Sequence, residues 1–216
     1  MIKTTWGYTL TQTQSLPDFM TPVDFSAFTN GKYLPTDSRI AANIPSATRS
    51  IQNYCGWHIY PSLECEMVYR VHDLRDSFVG SDLLIQLPAT FVSSVKLILL
   101  NANQSPNDTW QGDATTDFDL DDNGLLRLYD VGYLDKRSKI RVVYDAGVGD
   151  EQMDLIKELV ANSVIHAMAN PYGIASETAG SVSVSYSATW ASNTRSTALA
   201  DDTREILAPF KVKGVF

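Results

Sequence analysis

The chain has 216 residues, 44 % of them hydrophobic, and a formal net charge of −8 from 17 basic and 25 acidic residues. That length suits one domain, or a domain with an insertion, and buries roughly 70 % of the unfolded chain's surface. Without a basic run, tight gripping of nucleic-acid phosphates is not expected, and no run of about 18 apolar residues marks a transmembrane helix. Met1 to Leu10 lacks a charged start, an apolar centre and a cleavage site, so no signal peptide is expected. Two cysteines, Cys55 and Cys65, are too few for a disulfide framework; they read as small buried apolar residues in a reducing cytoplasm.

In chain order, Trp6, Tyr8 and Leu10 alternate with small or polar residues and predict a strand pairing within the fold or the assembly. Leu16-Pro17 breaks it. Thr21-Pro22-Val23-Asp24 is a capping pattern that opens a short helix with Phe25 and Phe28 on one face, closed by Asn30-Gly31. Ile40, Ile44, Ala47, Ile51 and Tyr54 then recur at helical spacing, and Gly56 supplies the positive φ that ends the helix. Pro45 removes a backbone donor inside this stretch and predicts a kink or a second helix beginning there. Trp57, Ile59 and Pro61 read as an alternating strand, with Trp57 in the core.

Strand patterns follow. Leu63, Cys65, Met67 and Tyr69 alternate, Leu83 to Leu87 and Val92 to Leu100 are short apolar runs, and Ile140, Val142 and Tyr144 complete the set. Asn101 to Thr116 reads as a loop at one edge. Asp122-Asn123-Gly124, between Phe118/Leu120 and Leu125/Arg127/Tyr129, is a hairpin signal. Asp150 to Ala169 is an amphipathic helix with acidic residues at its positive end. Residues 176–193 form a strand or a loop ordered by a neighbour, and Asp201 to Pro209 a short helix with Ile206 and Leu207 inward. The reading is an α+β fold: a helical core (38–55, 150–169, 201–209), an inserted antiparallel region at about 59–146, and extended terminal arms. Residues 1–35 are set apart as arm and short helix, 36–216 form the main domain, and 210–216 is an exposed apolar–basic tail.

Residues that carry chemistry are sparse. Asp119-x-Asp121-x-Asn123-Gly124-x5-Asp130 matches a calcium loop in its letters, yet the flanks are strands, Arg127 stands where a ligand is wanted, and Asp130 is shorter than the usual bidentate Glu. A hairpin turn explains the same residues. His58, His72 and His166 lack metal-site spacing, and neither a Gly-x-Ser-x-Gly elbow nor a phosphate loop occurs. Glu64 and Glu66 lie on one strand face, as solvated residues do. No catalytic, cofactor or metal site is expected. Trp110 and Trp190, in polar segments, are candidate partner contacts.

The stretch Arg39-Ile40 through Ile51-x-x-Tyr54-Cys55-Gly56-Trp57-His58-Ile59-x-Pro61 resembles the head–tail connector (head-to-tail adaptor) proteins of tailed bacteriophages. Further landmarks fall in that family's order: Tyr8-Thr9-Leu10, Leu87-Pro88, Asn123-Gly124-Leu125-Leu126-Arg127, Val142-x-Tyr144-x-x-Gly147, Asn170-Pro171-x-Gly173, Gly180-Ser181-x-Ser183-Val184-Ser185-Tyr186, and Leu207-x-x-Phe210 with Gly214-Val215. The resemblance implies a structural virion protein made in the bacterial cytoplasm and located in the neck. It implies a dodecameric ring, built by self-association between the portal and a stopper or tail-completion protein, through which genomic DNA passes without specific binding. No membrane is involved. The family's C-terminal docking role carries onto Phe210, Val212, Val215 and Phe216. Two other readings stay open: a stand-alone β-rich binding or adhesion module using Trp110 and Trp190, and a neighbouring stopper or tail-completion protein.

Overall fold

The two periodicities of the sequence, helical at 36–56 and 150–169 and alternating between them, fold into separate bodies of an α+β chain. A computed structural model describes residues 1–12, 15–100, 109–111, 118–121, 123–129, 131, 139–169, 176–179, 182–185 and 201–212. Contacts divide the chain into a helical unit, Pro17–Cys55 with Asp150–Pro209, and a β unit, Met1–Leu16 with Gly56–Gly149 and Phe210–Phe216. Of the segment 1–35, Met1–Leu16 falls in the β unit and the residues from Pro17 on in the helical unit.

In the helical unit, α1 (Pro22–Phe28) begins with a reciprocal cap. The Thr21 hydroxyl accepts from the Asp24 amide at 3.2 Å, and the Asp24 carboxylate accepts from the Thr21 amide at 3.0 Å. A hydrogen bond donated by the Thr21 hydroxyl at 2.7 Å, and then the one from the Thr21 amide, hold the Asp24 carboxyl below the usual carboxylate range. Only Phe25 of the predicted pair is buried; Phe28 is 43 % exposed, near the helix end that Gly31 terminates. The long α2 (Ser38–Cys55) runs without interruption through Pro45. It buries Ile40, Ile44, Ala47, Ile51 and Cys55 along one stripe, and packing of that stripe outweighs the hydrogen bond that Pro45 removes. Thr48, also buried, accepts from the Phe19 amide at 3.2 Å and so ties the segment before α1 to the helix. α3 (Asp150–Ala169) packs on α2 with Met153, Ile156, Val160 and Val164 inward, leaving His166 exposed. β11 (Ser176–Ala179) and β12 (Val182–Ser185) pair antiparallel, the strand alternative for those residues, while the rest of 176–193 lies outside the described residues. In α4 (Asp201–Leu207) Leu207 is buried but Ile206 is 40 % exposed, against the expectation that both face inward.

Two antiparallel sheets make up the β unit, more strands than the sequence pattern resolved. The larger has the order β1 (Ile2–Lys3), β2 (Thr9–Leu10), β3 (Leu63–Arg70), β10 (Lys139–Ala146), β6 (Val92–Leu100), β7 (Thr109–Gln111). The smaller has the order β4 (Phe78–Val79), β5 (Asp82–Gln86), β9 (Leu125–Leu128), β8 (Phe118–Leu120), and buries Leu83, Ile85, Leu126 and Leu128. A 3-10 segment, Val71–Ser77, links β3 to β4.

Alternation sets the faces of the larger sheet: Leu63 and Cys65 of β3 and Ile140, Val142 and Tyr144 of β10 point into the core. The expected pairing of the N-terminal strand within the fold is met, and two other expectations are corrected here. The N-terminal arm is two short strands around a turn at Gly7 (φ +92°), and β2 pairs with β3 of its own sheet. Residues 57–61 form no strand, because Ile59 holds φ +66°, outside the strand region. The edge segment read as a loop contains β7, which places Trp110 opposite Leu99 of β6.

Asp121 makes the β8–β9 turn. Its carboxylate accepts from the amides of Asn123 at 2.9 Å and Leu125 at 2.8 Å, and its carbonyl accepts from Gly124 at 3.0 Å. Gly124 has φ +77°, and a Cβ there would lie 2.2 Å from the Ala89 carbonyl oxygen. Gly124→Ala is therefore expected to destabilise the protein by about 2 kcal/mol or more, through both the φ and the clash. Thr21→Ala, which removes only the α1 cap, costs about 1 kcal/mol. Urea unfolding of the two variants checks the order.

Candidate functional site

The densest stretch of sequence landmarks, Gly56-Trp57-His58, sits where the N-terminal segment, the end of β10 and the C-terminal segment of the β unit come together. Gly56 ends α2 at φ +82° and lets the chain turn at once. Trp57, His58 and Ile59 then follow as three fully buried residues.

His58 is held on both sides. Its Nε2 faces the carbonyl oxygens of Pro61 at 3.1 Å and Ala146 at 3.0 Å, so Nε2 carries the proton and donates to them. Nδ1 therefore accepts, and the Tyr8 hydroxyl donates to it at 2.8 Å. The same hydroxyl oxygen accepts from the His58 backbone amide at 3.0 Å. Burial pushes the imidazole down to about 4, and the two carbonyls offset only part of that. Burial likewise pushes the Cys65 thiol up to about 12 and the Tyr8 phenol well above the ordinary tyrosine range. At neutral pH all three are uncharged. The ring acts as a fastener between chain segments.

Trp57 holds the other terminus. Its indole N–H donates to the Phe210 carbonyl at 2.6 Å, and its ring stacks on Phe91, whose ring centroid lies 5.4 Å from that of Phe210. Phe91 adopts φ +55°, an uncommon conformation for a bulky residue, kept here between two aromatic neighbours. Phe210 itself is 5 % exposed, at the end of the 3-10 turn Ala208–Phe210. This corrects its placement in an exposed tail: it is a core anchor, and the segment available to a partner begins after it. Lys211 is exposed, and half-buried Val212 approaches Gly56, where an added Cβ would lie 4.0 Å from the Val212 Cβ.

Of the other candidate residues, Val215, Phe216 and Trp190 lie outside the described residues, and Trp110 is placed by its backbone on edge strand β7. Asp122 and Asp130 of the calcium-like loop also lie outside them. The Asp119 carboxylate accepts from the Leu120 amide at 3.0 Å, and Asp121 is committed to the turn, which agrees with the hairpin reading. Among the described residues no group of three or more His, Cys, Asp or Glu is arranged to hold a metal ion, and no helix is long and apolar enough to cross a membrane. Reasoning from the sequence missed the Tyr8–His58 and Trp57–Phe210 links, since each joins residues far apart in the chain. No protein-family model matches the chain, and no curated protein does either.

The depressed His58 pKa has a definite sign. Above pH 6.5 the ring is neutral in both folded and unfolded chains and its fit is fully present. Between pH 6.5 and about 4 the unfolded chain takes a proton that the folded one refuses, so stability falls as pH falls. The loss at full extent is on the order of 3 kcal/mol. His58→Gln is expected to be less stable at pH 7 but to show a shallower loss over that window, by up to one proton; urea midpoints across pH check it.

Proposed function

We propose that this chain is a structural virion protein, a head-to-tail adaptor that forms a ring between the portal and the tail or its stopper and lines the channel through which DNA leaves. The observation that carries the proposal is the coincidence of the sequence landmarks with the fastening point of the C-terminal segment. The Cys-Gly-Trp-His corner supplies Trp57, and Trp57 holds Phe210 by a buried hydrogen bond. The Lys-Val-Lys-Gly-Val-Phe sequence that follows thus starts from a fixed position on the sheet unit, which lowers the entropic cost of presenting it to a portal.

The charge fits the same role. With −8 overall, the chain repels phosphates on average, which suits a channel that DNA crosses without adhering. In this reading the protein needs no cofactor and no catalytic group, and its partners are the portal, copies of itself and the next protein of the tail.

Because Phe210 is a core residue, the docking test must spare it. Full-length protein and a form lacking residues 213–216 are each mixed with the cognate portal and imaged by electron microscopy. The adaptor reading predicts rings added beneath the portal by the full-length protein and at least about ten-fold weaker addition by the truncated one. Absence of binding by both forms would overturn it in favour of a stand-alone binding module.

A further inference from the structure

The outward face of the larger sheet sorts its charges to opposite ends. Register sets Glu64 directly opposite Asp145 at one end, and Arg70 directly opposite Lys139 at the other. Like charges in such positions destabilise a sheet. Glu64, Arg70 and Lys139 are exposed, and among the described residues no ion pair or hydrogen bond engages their side chains; Asp145 accepts from the Ser94 hydroxyl. Between the poles lie Val68, 44 % exposed, and Val143, flanked by the Arg141–Glu66 pair at 3.4 Å and by Lys96. The chain thus carries an acidic pole, a mixed centre with two valines and a basic pole on one sheet face, and among the described residues no ion pair relieves the repulsion at either end.

We propose that this face docks on the same face of a second copy of the chain, across a two-fold axis lying between the sheets and perpendicular to the strands. From Glu64 to Arg70 the strand rises about 20 Å, and the rotation sets each end over the opposite end of the other copy. Glu64 then meets Arg70 of the second copy, Asp145 meets its Lys139, and symmetry repeats both pairs. Near the axis Val68 lies over Glu66 of the second copy and diagonal to its Val143, at the usual sheet-to-sheet spacing of about 10 Å. Complementarity of the face with itself is the reason for choosing a second copy over another partner. Three strands over that length offer about 300 Å² of flat sheet per copy, below the roughly 800 Å² of a standard interface, so the association is weak and sensitive to salt. It does not rest on the adaptor reading, because an isologous contact closes at two copies whereas a ring is built from heterologous ones.

Sedimentation velocity of the full chain over a concentration series, at about 20 mM and about 0.5 M salt, tests the proposal. The wild type is expected to associate reversibly at low salt and to lose most of that association at high salt. Glu64→Lys and Arg70→Glu should each weaken it about ten-fold or more, while raising the thermal midpoint, because each turns a like-charge pair within the chain into an opposite-charge one. The double variant Glu64→Lys/Arg70→Glu should recover the association, since the swapped charges again meet their opposites. A wild type that stays monomeric throughout, single variants that associate like wild type, or a double variant that does not recover would each overturn the proposal.

Discussion

Two consecutive buried side chains, Trp57 and His58, connect the β unit to its two terminal segments. His58 binds the N-terminal segment through Tyr8, and Trp57 binds the C-terminal segment through Phe210. Their position immediately after Gly56 makes this possible: a helix that ends at a positive φ releases the chain abruptly, and the next two side chains are delivered into the core. The hydrogen bonds form without access to water, where an unmet donor or acceptor costs about 1–3 kcal/mol, so each partner depends on the others being in place. Deleting the Tyr8 hydroxyl, for example, would leave both the His58 amide and Nδ1 without it.

The charge distribution follows a different logic. In the described interior of the β unit, His58 and Cys65 are shifted by burial away from their charged forms and are neutral at pH 7. Charges collect on outward surfaces, where the Arg127–Asp82 pair at 2.7 Å bridges β9 and β5 with Arg127 also over the Tyr129 ring. Exposed pairs of this kind contribute little stability. The like-charge pairs at the ends of the larger sheet, Glu64 opposite Asp145 and Arg70 opposite Lys139, set charges of one sign directly across from each other, an arrangement that works against strand pairing.

Much of the architecture was legible in the sequence because it rests on local periodicity and local capping. The bounds of α3, the Thr21 cap, the Gly56 terminus and the Asp121–Gly124 turn each follow from neighbouring residues. What was not legible depends on distant partners. Ile59 lies in an alternating apolar pattern, but its carbonyl is held by the Val148 amide at 2.9 Å with φ +66°, so the alternation signals burial without a strand. Thr109–Gln111 carries weak strand signal and pairs only because β6 presents an open edge. Phe210 reads as the start of an apolar tail, and nothing near it in sequence discloses the Trp57 and Phe91 rings that enclose it. Pro45 did not begin a second helix, since its local penalty was offset by the buried stripe of α2.

In the proposed role, a terminal segment fastened at Phe210 is presented from there to a portal. Hydrogen exchange of the full chain, alone and bound to its cognate portal, reads both halves of that claim at once. The amides of Tyr8, His58 and Ala146 should be protected in both states, and those of residues 211–216 should gain protection only in the complex. Unchanged exchange at 211–216 on a bound portal, or rapid exchange at His58 in either state, would contradict it.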